Sequence, residues 1–217
     1  MPLVTAIEEQ QRRRRFNVFV DGEFALALEP ETIAAAGLRI GMPVTAAVLA
    51  ELLAADLRKR ALDMALRLLS YRPRAEREIR TRLQRRGLPS DVIDVTVAKL
   101  RDYGYVDDAA FARAWVESRE AGSPRGQRLL RNELRGKGIA VEVAAEATAG
   151  VAEDEAARRA AAKKARTLRG LDYPQFRTRL GGYLARRGFG YDVISPIVDE
   201  LWQAQGAPLP DEPPWVE

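Results

Sequence analysis

The residues of this 217-residue chain best equipped to do chemistry are arginines, which supply 30 of its 35 cations. Two sets recur at helical spacing, Arg74, Arg77, Arg80 and Arg85, then Arg125, Arg128 and Arg131, while Arg12, Arg13, Arg14 and Arg15 form a contiguous run. A guanidinium presents five donors in a rigid fork, so such rows suit carboxylates or phosphates on an acidic surface. Bond-breaking chemistry finds little support. Cysteine and histidine are both absent, which removes disulfides, thiolate and imidazole metal sites, cysteine nucleophiles and any histidine general base. No glycine pattern matches a phosphate-cradling loop or a dinucleotide fingerprint. The paired acids Asp107-Asp108 and Glu153-Asp154-Glu155 stand where helices begin, so capping and helix-dipole roles are expected of them. The expectation is a protein that is not an enzyme and holds no metal or cofactor.

What must position the two arginine sets is a repeat. Gly87, Gly138 and Gly188 lie 51 and 50 residues apart. Counting from each glycine, position −14 is Pro73, Pro124 and Pro174, position −8 is Ile79, Leu130 and Leu180, and position −4 is Leu83, Leu134 and Leu184. Position +1 is Leu88, Ile139 and Phe189, and position +5 is valine three times: Val92, Val143 and Val193. Residues at −8 and −4 stack one turn apart on one helix face. Proline suits a first helical turn, and glycine after a basic tail suits a left-handed helix stop, so the second helix of each unit is expected to run from Pro to Gly. A third helix follows each glycine. A preceding one carries Leu62, Leu66 and Leu69, then Phe111, Trp115 and Val116, then Ala161, Ala165 and Leu168. Units of about 50 residues are marginal alone, so neighbours are expected to share apolar surface.

The fold class that follows is all-α, three tandem three-helix repeats with a small N-terminal β-hairpin appendage. In the appendage, Phe16, Val18 and Val20, then Phe24, Leu26 and Leu28, alternate on either side of Asp21-Gly22, a strong hairpin signal. A short helix from Ile33 to the Gly37 stop and a helix starting at Thr45 complete it. The expected divisions are 1–57 for the appendage, 58–106, 107–154 and 155–202 for the repeats, and 203–217 for a proline-rich, acidic, disordered tail.

The net charge is +4 and the pI is near 9.6. The excess is concentrated in the first repeat, at +7, and the third, at +5. On helical wheels Arg74, Arg77, Arg80 and Arg85 fall on the outward half of their helix, Arg125, Arg128 and Arg131 take matching places, and few have an acid at i+4. The ladder is read as mostly unneutralised; a solvated face is the alternative. Arg12 to Arg15 could grip phosphate or guard a strand from unwanted pairing. Tyr71, Tyr103, Tyr105 and Trp115 could stack bases, but core or capping roles are expected from their places at helix ends and on an apolar face. No apolar run reaches membrane-spanning length and the first ten residues lack a secretory pattern, so a cytoplasmic location is expected.

The stretches LRLLSYRPRAEREIRTRLQRRGLPSDVIDVTVAKLRDYGYVDDAAFARAWVESR, from Leu66 to Arg119, and SPRGQRLLRNELRGKGI, from Ser123 to Ile139, resemble the RecX family of bacterial regulatory proteins. With the RRRRFNVFVDGEF segment and the third repeat, the likeness covers nearly the whole chain. It implies an all-helical array of three-helix repeats that binds RecA, the recombinase that coats single-stranded DNA as an ATP-dependent filament; the chain is expected to be a monomer. Such proteins lodge in the filament groove and restrain ATP hydrolysis and strand exchange. The third repeat departs from the basic pattern, with Gln175, Thr178 and Gly181 where the first has Arg74, Arg77 and Arg80. The rival reading is a sequence-nonspecific DNA-binding protein built from helix-turn-helix-like units. A sequence reader would need Arg, Asn or Gln aimed at base edges, and the third helix of each unit has almost none, so at most weak nonspecific DNA contact is expected.

Overall fold

The computed structural model of the chain describes residues 1–11 and 15–205. It begins with a three-stranded antiparallel sheet, β1 (Val4–Glu9), β2 (Phe16–Val20) and β3 (Glu23–Leu28), in that order. Asp21 and Gly22 both adopt positive φ, 48° and 87°, as a two-residue hairpin turn of matching twist demands. The β2–β3 hairpin is the one the sequence pattern predicts; β1 corrects that expectation from two strands to three. A register shift between Val4 and Ala6 lets Val4 and Ile7 both pack on the core, three residues apart. That spacing hides the strand from a period-two reading. Arg12, Arg13 and Arg14 lie outside the described residues, as does the tail beyond 205.

Pro30 opens α1 (Pro30–Ala36), which Gly37 closes in the left-handed conformation. Thr45 then caps α2 (Ala46–Leu69), its hydroxyl accepting the Val48 N–H at 3.3 Å. Val18, Leu28, Val44 and Leu52 join in one buried cluster, so the start of α2 covers the sheet. The same unbroken helix crosses residues 57 and 58, and its later residues Ala61 and Ala65 belong to the core of the first repeat.

That repeat continues with α3 (Glu76–Gln84) and α4 (Ser90–Asp102). The second comprises α5 (Asp108–Gly122), α6 (Gln127–Lys137) and α7 (Val141–Ala149). The third comprises α8 (Glu153–Arg166), α9 (Tyr173–Arg186) and α10 (Tyr191–Gln203). The six residues at −8 and −4, Ile79 and Leu83, Leu130 and Leu134, Leu180 and Leu184, are all fully buried, and the three register glycines all take positive φ. One expectation fails locally. Pro174 sits in the first turn of α9, but Pro73 and Pro124 precede the N-caps of α3 and α6, Ala75 and Gly126. Asp107 caps α5, accepting the Ala110 N–H at 2.9 Å.

The chain divides into two compact units, Met1–Val106 and Asp107–Glu217. Within the second, the second and third repeats are joined at their backbones. The Gly126 N–H donates to the Arg187 carbonyl at 2.9 Å, and a Cβ at Gly126 would collide with the Gly188 carbonyl. Arg187 also donates to the Ser123 hydroxyl at 3.0 Å and the Pro124 carbonyl at 3.1 Å. No described helix is long and apolar enough to cross a membrane.

Candidate functional site

Half of the first arginine set, Arg74 and Arg80, is tied into its own repeat, which corrects the expectation of an unneutralised outward ladder at those two positions. Arg74 precedes the α3 N-cap and its side chain is only 9 % exposed. Its Nε donates to the Leu68 carbonyl at 2.8 Å, and it pairs with Glu78. Arg80 donates to Glu76 at 2.7 Å and pairs with Asp94 of α4. Glu76 also receives Arg101 at 2.6 Å. Burial pushes the Glu76 carboxyl up, but hydrogen bonds from Arg80 and Arg101 outweigh it and hold the group below the ordinary glutamate range. Glu78 follows the same pattern, with burial opposed by Arg72 and Arg74. Arg77 and Arg85 are exposed, and neither has an ion pair with a described residue.

The second set is arranged differently. Arg125 precedes α6 and pairs with Glu133, which also accepts Arg119 at 3.2 Å and the Trp115 indole N–H at 2.9 Å. Arg128 is exposed, with one long hydrogen bond to the Ala185 carbonyl at 3.4 Å. Arg131 donates to the Thr148 hydroxyl at 2.9 Å and the Gln127 amide oxygen at 2.7 Å, contacts that fix its direction without neutralising it. Arg128, Arg131 and Arg135 form one stripe along α6, and among the described residues none of the three is in an ion pair. They line a cleft of about 750 Å³ between α6–α7 and α9–α10. The structure thus brings Arg128 and Arg131 together and adds Arg135, which the register reading passed over. Its signal was present, since Arg135 lies four residues after Arg131 on the same face.

Arg15 does not belong to either face. Its guanidinium is 16 % exposed and donates at 2.9 Å to Asp56, a fully buried carboxylate that also accepts the Glu29 N–H at 2.7 Å. It fastens the sheet to α2. Among the aromatics, Trp115 is half-buried, stacked on Phe111, with Arg119 and Lys137 over its ring at 4.0 and 3.8 Å. Tyr71, Tyr103 and Tyr105 are exposed, so of the expected core or capping roles the core one fails for all three. Tyr103 is the C-cap residue of α4, and its ring meets Tyr105 edge to face. No group of His, Cys, Asp or Glu among the described residues has metal-holding geometry.

Four family models match in chain order. The RecX N-terminal domain matches residues 2–45, and the first, second and third RecX three-helix domains match 61–100, 107–147 and 152–198. The regulatory protein RecX of Lacticaseibacillus paracasei is 31 % identical over 201 residues, covering 91 % of this chain and 84 % of that protein. That of Streptomyces coelicolor is 34 % identical over 151 residues, covering 68 % and 80 %. A crystal structure of a regulatory protein RecX superposes with a TM-score of 0.70 at 26 % identity, covering 92 % of this chain and all of that one. A second, of RecX from Lactobacillus salivarius, gives 0.64 at 27 % identity, covering 68 % and 97 %.

Proposed function

The chain belongs to the RecX family of regulatory proteins, and from that premise we propose that it binds the filament of the RecA recombinase and inhibits its ATPase and strand-exchange activities. The observation that carries the reading is the match of all four family domains in order, from residue 2 to residue 198. The protein would act as a cytoplasmic monomer in recombinational DNA repair and the SOS response, and catalyse nothing itself. The contact would use the open cations, Arg77 and Arg85 in the first repeat and Arg128 and Arg131 in the second. Arg74, Arg80, Arg125 and Arg15 would first have to leave carboxylates they already hold. Acidic protein surface or DNA phosphate in the filament supplies the complementary charge. A sequence-specific DNA role is disfavoured by the third helices, whose exposed side chains include Val95, Val141 and Tyr191 and whose one arginine, Arg101, is held by Glu76.

The test is ATP turnover by RecA on single-stranded DNA with the full chain added at increasing ratio. Turnover should fall, and should recover as salt is raised. Unchanged turnover at equimolar or greater protein would overturn the assignment.

A further inference from the structure

The cleft of about 750 Å³ in the second unit holds more positive charge than its own walls use. Arg128, Arg131 and Arg135 face it without a carboxylate partner among the described residues. The one carboxylate in its lining, Glu153, accepts the Gln127 backbone N–H at 2.8 Å. Beyond the arginines the lining is largely apolar and partly open. Val141 is 60 % and Tyr191 68 % exposed, and the buried Ile194 also lines the cleft. The ligand that matches is therefore an anionic segment with an apolar or aromatic side chain, not a compact inorganic ion.

The cleft also has an approach. A second groove, of about 410 Å³, runs along the seam of α9 and α10, shares Ala185, Tyr191 and Ile194 with the cleft, and continues past Ser195 to Val198. Val198 lies near the C-terminal end of α10, where the chain leaves the helix toward residues 206–217. Those twelve residues, GAPLPDEPPWVE, carry three acids, no base, four prolines and Trp215. From Gln203 back to Tyr191 is about 18 Å along the helix. Six residues of extended, proline-rich chain reach about 19 Å. Twelve residues are therefore long enough to return along the α9–α10 seam and bring their acids to the arginine stripe. Proline lowers the ordering cost of such a ligand and leaves fewer N–H groups to satisfy.

We infer that this cleft is a binding site for an acidic, proline-rich peptide segment, and that its occupant is residues 206–217 of the same chain. The docked tail covers Arg128 and Arg131. Its consequence for partner binding rests on the RecA reading; the docking does not, and it is tested on the protein alone.

The chain has no cysteine, so pairs can be introduced cleanly. Asn132→Cys in the cleft wall is combined with Pro213→Cys in the tail, and compared with Lys163→Cys, on the exposed side of α8, combined with the same tail cysteine. Each variant is checked for native helix content by circular dichroism. A docked tail raises the local concentration at position 132, so intramolecular cross-linking there should be about tenfold faster than at 163. Adding Asp211→Lys and Glu212→Lys should erase the preference. Equal rates at the two positions, a preference that survives the charge reversal, or cross-links only between two chains, which would place a second copy's tail in the cleft, would each overturn the inference.

Discussion

Position-matched residues of the first and second repeats have the same names and different surroundings. Arg80 and Arg131 occupy the same register position on α3 and α6. Around Arg80 stand Glu76, four residues earlier, and Asp94 on the next helix, and it bonds to both. The matching places around Arg131 hold Gln127 and Ala145, and Leu129 stands where the first repeat has Glu78. The first repeat uses Arg74 and Arg80 to hold its own elements together; the second turns Arg128 and Arg131 into a cleft. Neutral neighbours in place of acids leave a structural ion-pair network in one unit and an open cationic stripe in the other.

The glycines give the largest expected contrast. Gly87 and Gly188 both have positive φ, 77° and 89°, yet a Cβ at Gly87 would meet nothing within 4 Å, while one at Gly188 would strike Leu129, backbone included. Gly87→Ala carries only the left-handed strain, about 1–2 kcal/mol. Gly188→Ala adds an overpacking cost of similar size, for a total of about 3 kcal/mol. Trp115 and Trp202 both belong to the second unit, so urea unfolding followed by tryptophan fluorescence reads Gly188→Ala there. Hydrogen exchange of α3 and α4 amides reads Gly87→Ala. Equal losses would mean that the two repeats close their second helices alike.

Charge reversal is the next contrast. The double change Arg74→Glu and Arg80→Glu removes one partner from each of two part-buried pairs and sets acids beside Glu78 and Glu76, so the first unit should lose about 2 kcal/mol. Arg128→Glu with Arg135→Glu leaves no carboxylate unpaired and should cost much less. Thermal melts of the two double variants decide it, and a reversed order would show that the ion pairs of α3 do not hold the unit together.

How far these differences can be read from sequence depends on where the partners lie. The fully buried −8 and −4 positions stand out because burial imposes a period that local composition displays. Glu76 was within reach too, since an acid four residues before a cation shares its face, and a search restricted to i+4 misses it. Asp94 could not be found that way: its approach to Arg80 depends on the angle at which α4 crosses α3. The cleft is harder still, because it exists only where Gly126 and Gly188 bring two repeats into backbone contact. In the sheet, the register shift near Val4 removed the alternation that would have announced β1.

Acid titration sharpens the same comparison at smaller amplitude. Glu76 and Glu78 are held below the ordinary value of about 4.5 in the folded protein. A carboxyl with a depressed folded value contributes stability above its unfolded value and loses it as the pH falls through the folded one. The first unit should therefore weaken progressively below about pH 4.5. Glu76→Gln with Glu78→Gln should flatten that dependence in the α3 and α4 amides while lowering stability at neutral pH. A double variant whose first unit weakens with acid as wild type does would assign the acid sensitivity to other groups.

The smallest effect on stability belongs to the open cations, and there stability and function should separate. Arg77→Ala and Arg128→Ala change exposed, position-matched residues with no ion pair to a described residue, so each should shift unfolding by no more than about 0.5 kcal/mol. If the open cations meet the filament, each should still weaken RecA inhibition and reduce its salt sensitivity, because a charge in a high-dielectric contact acts through long-range attraction that salt screens. Arg128→Ala should have one effect that Arg77→Ala lacks. It removes a contact for the acidic tail as well as one for the partner, so deleting residues 206–217 should strengthen inhibition less in the Arg128→Ala background than in wild type. Titrations of inhibition against salt for the four combinations measure that difference. Identical gains from tail deletion in both backgrounds would separate the tail from Arg128 and return the second-repeat stripe to the partner alone.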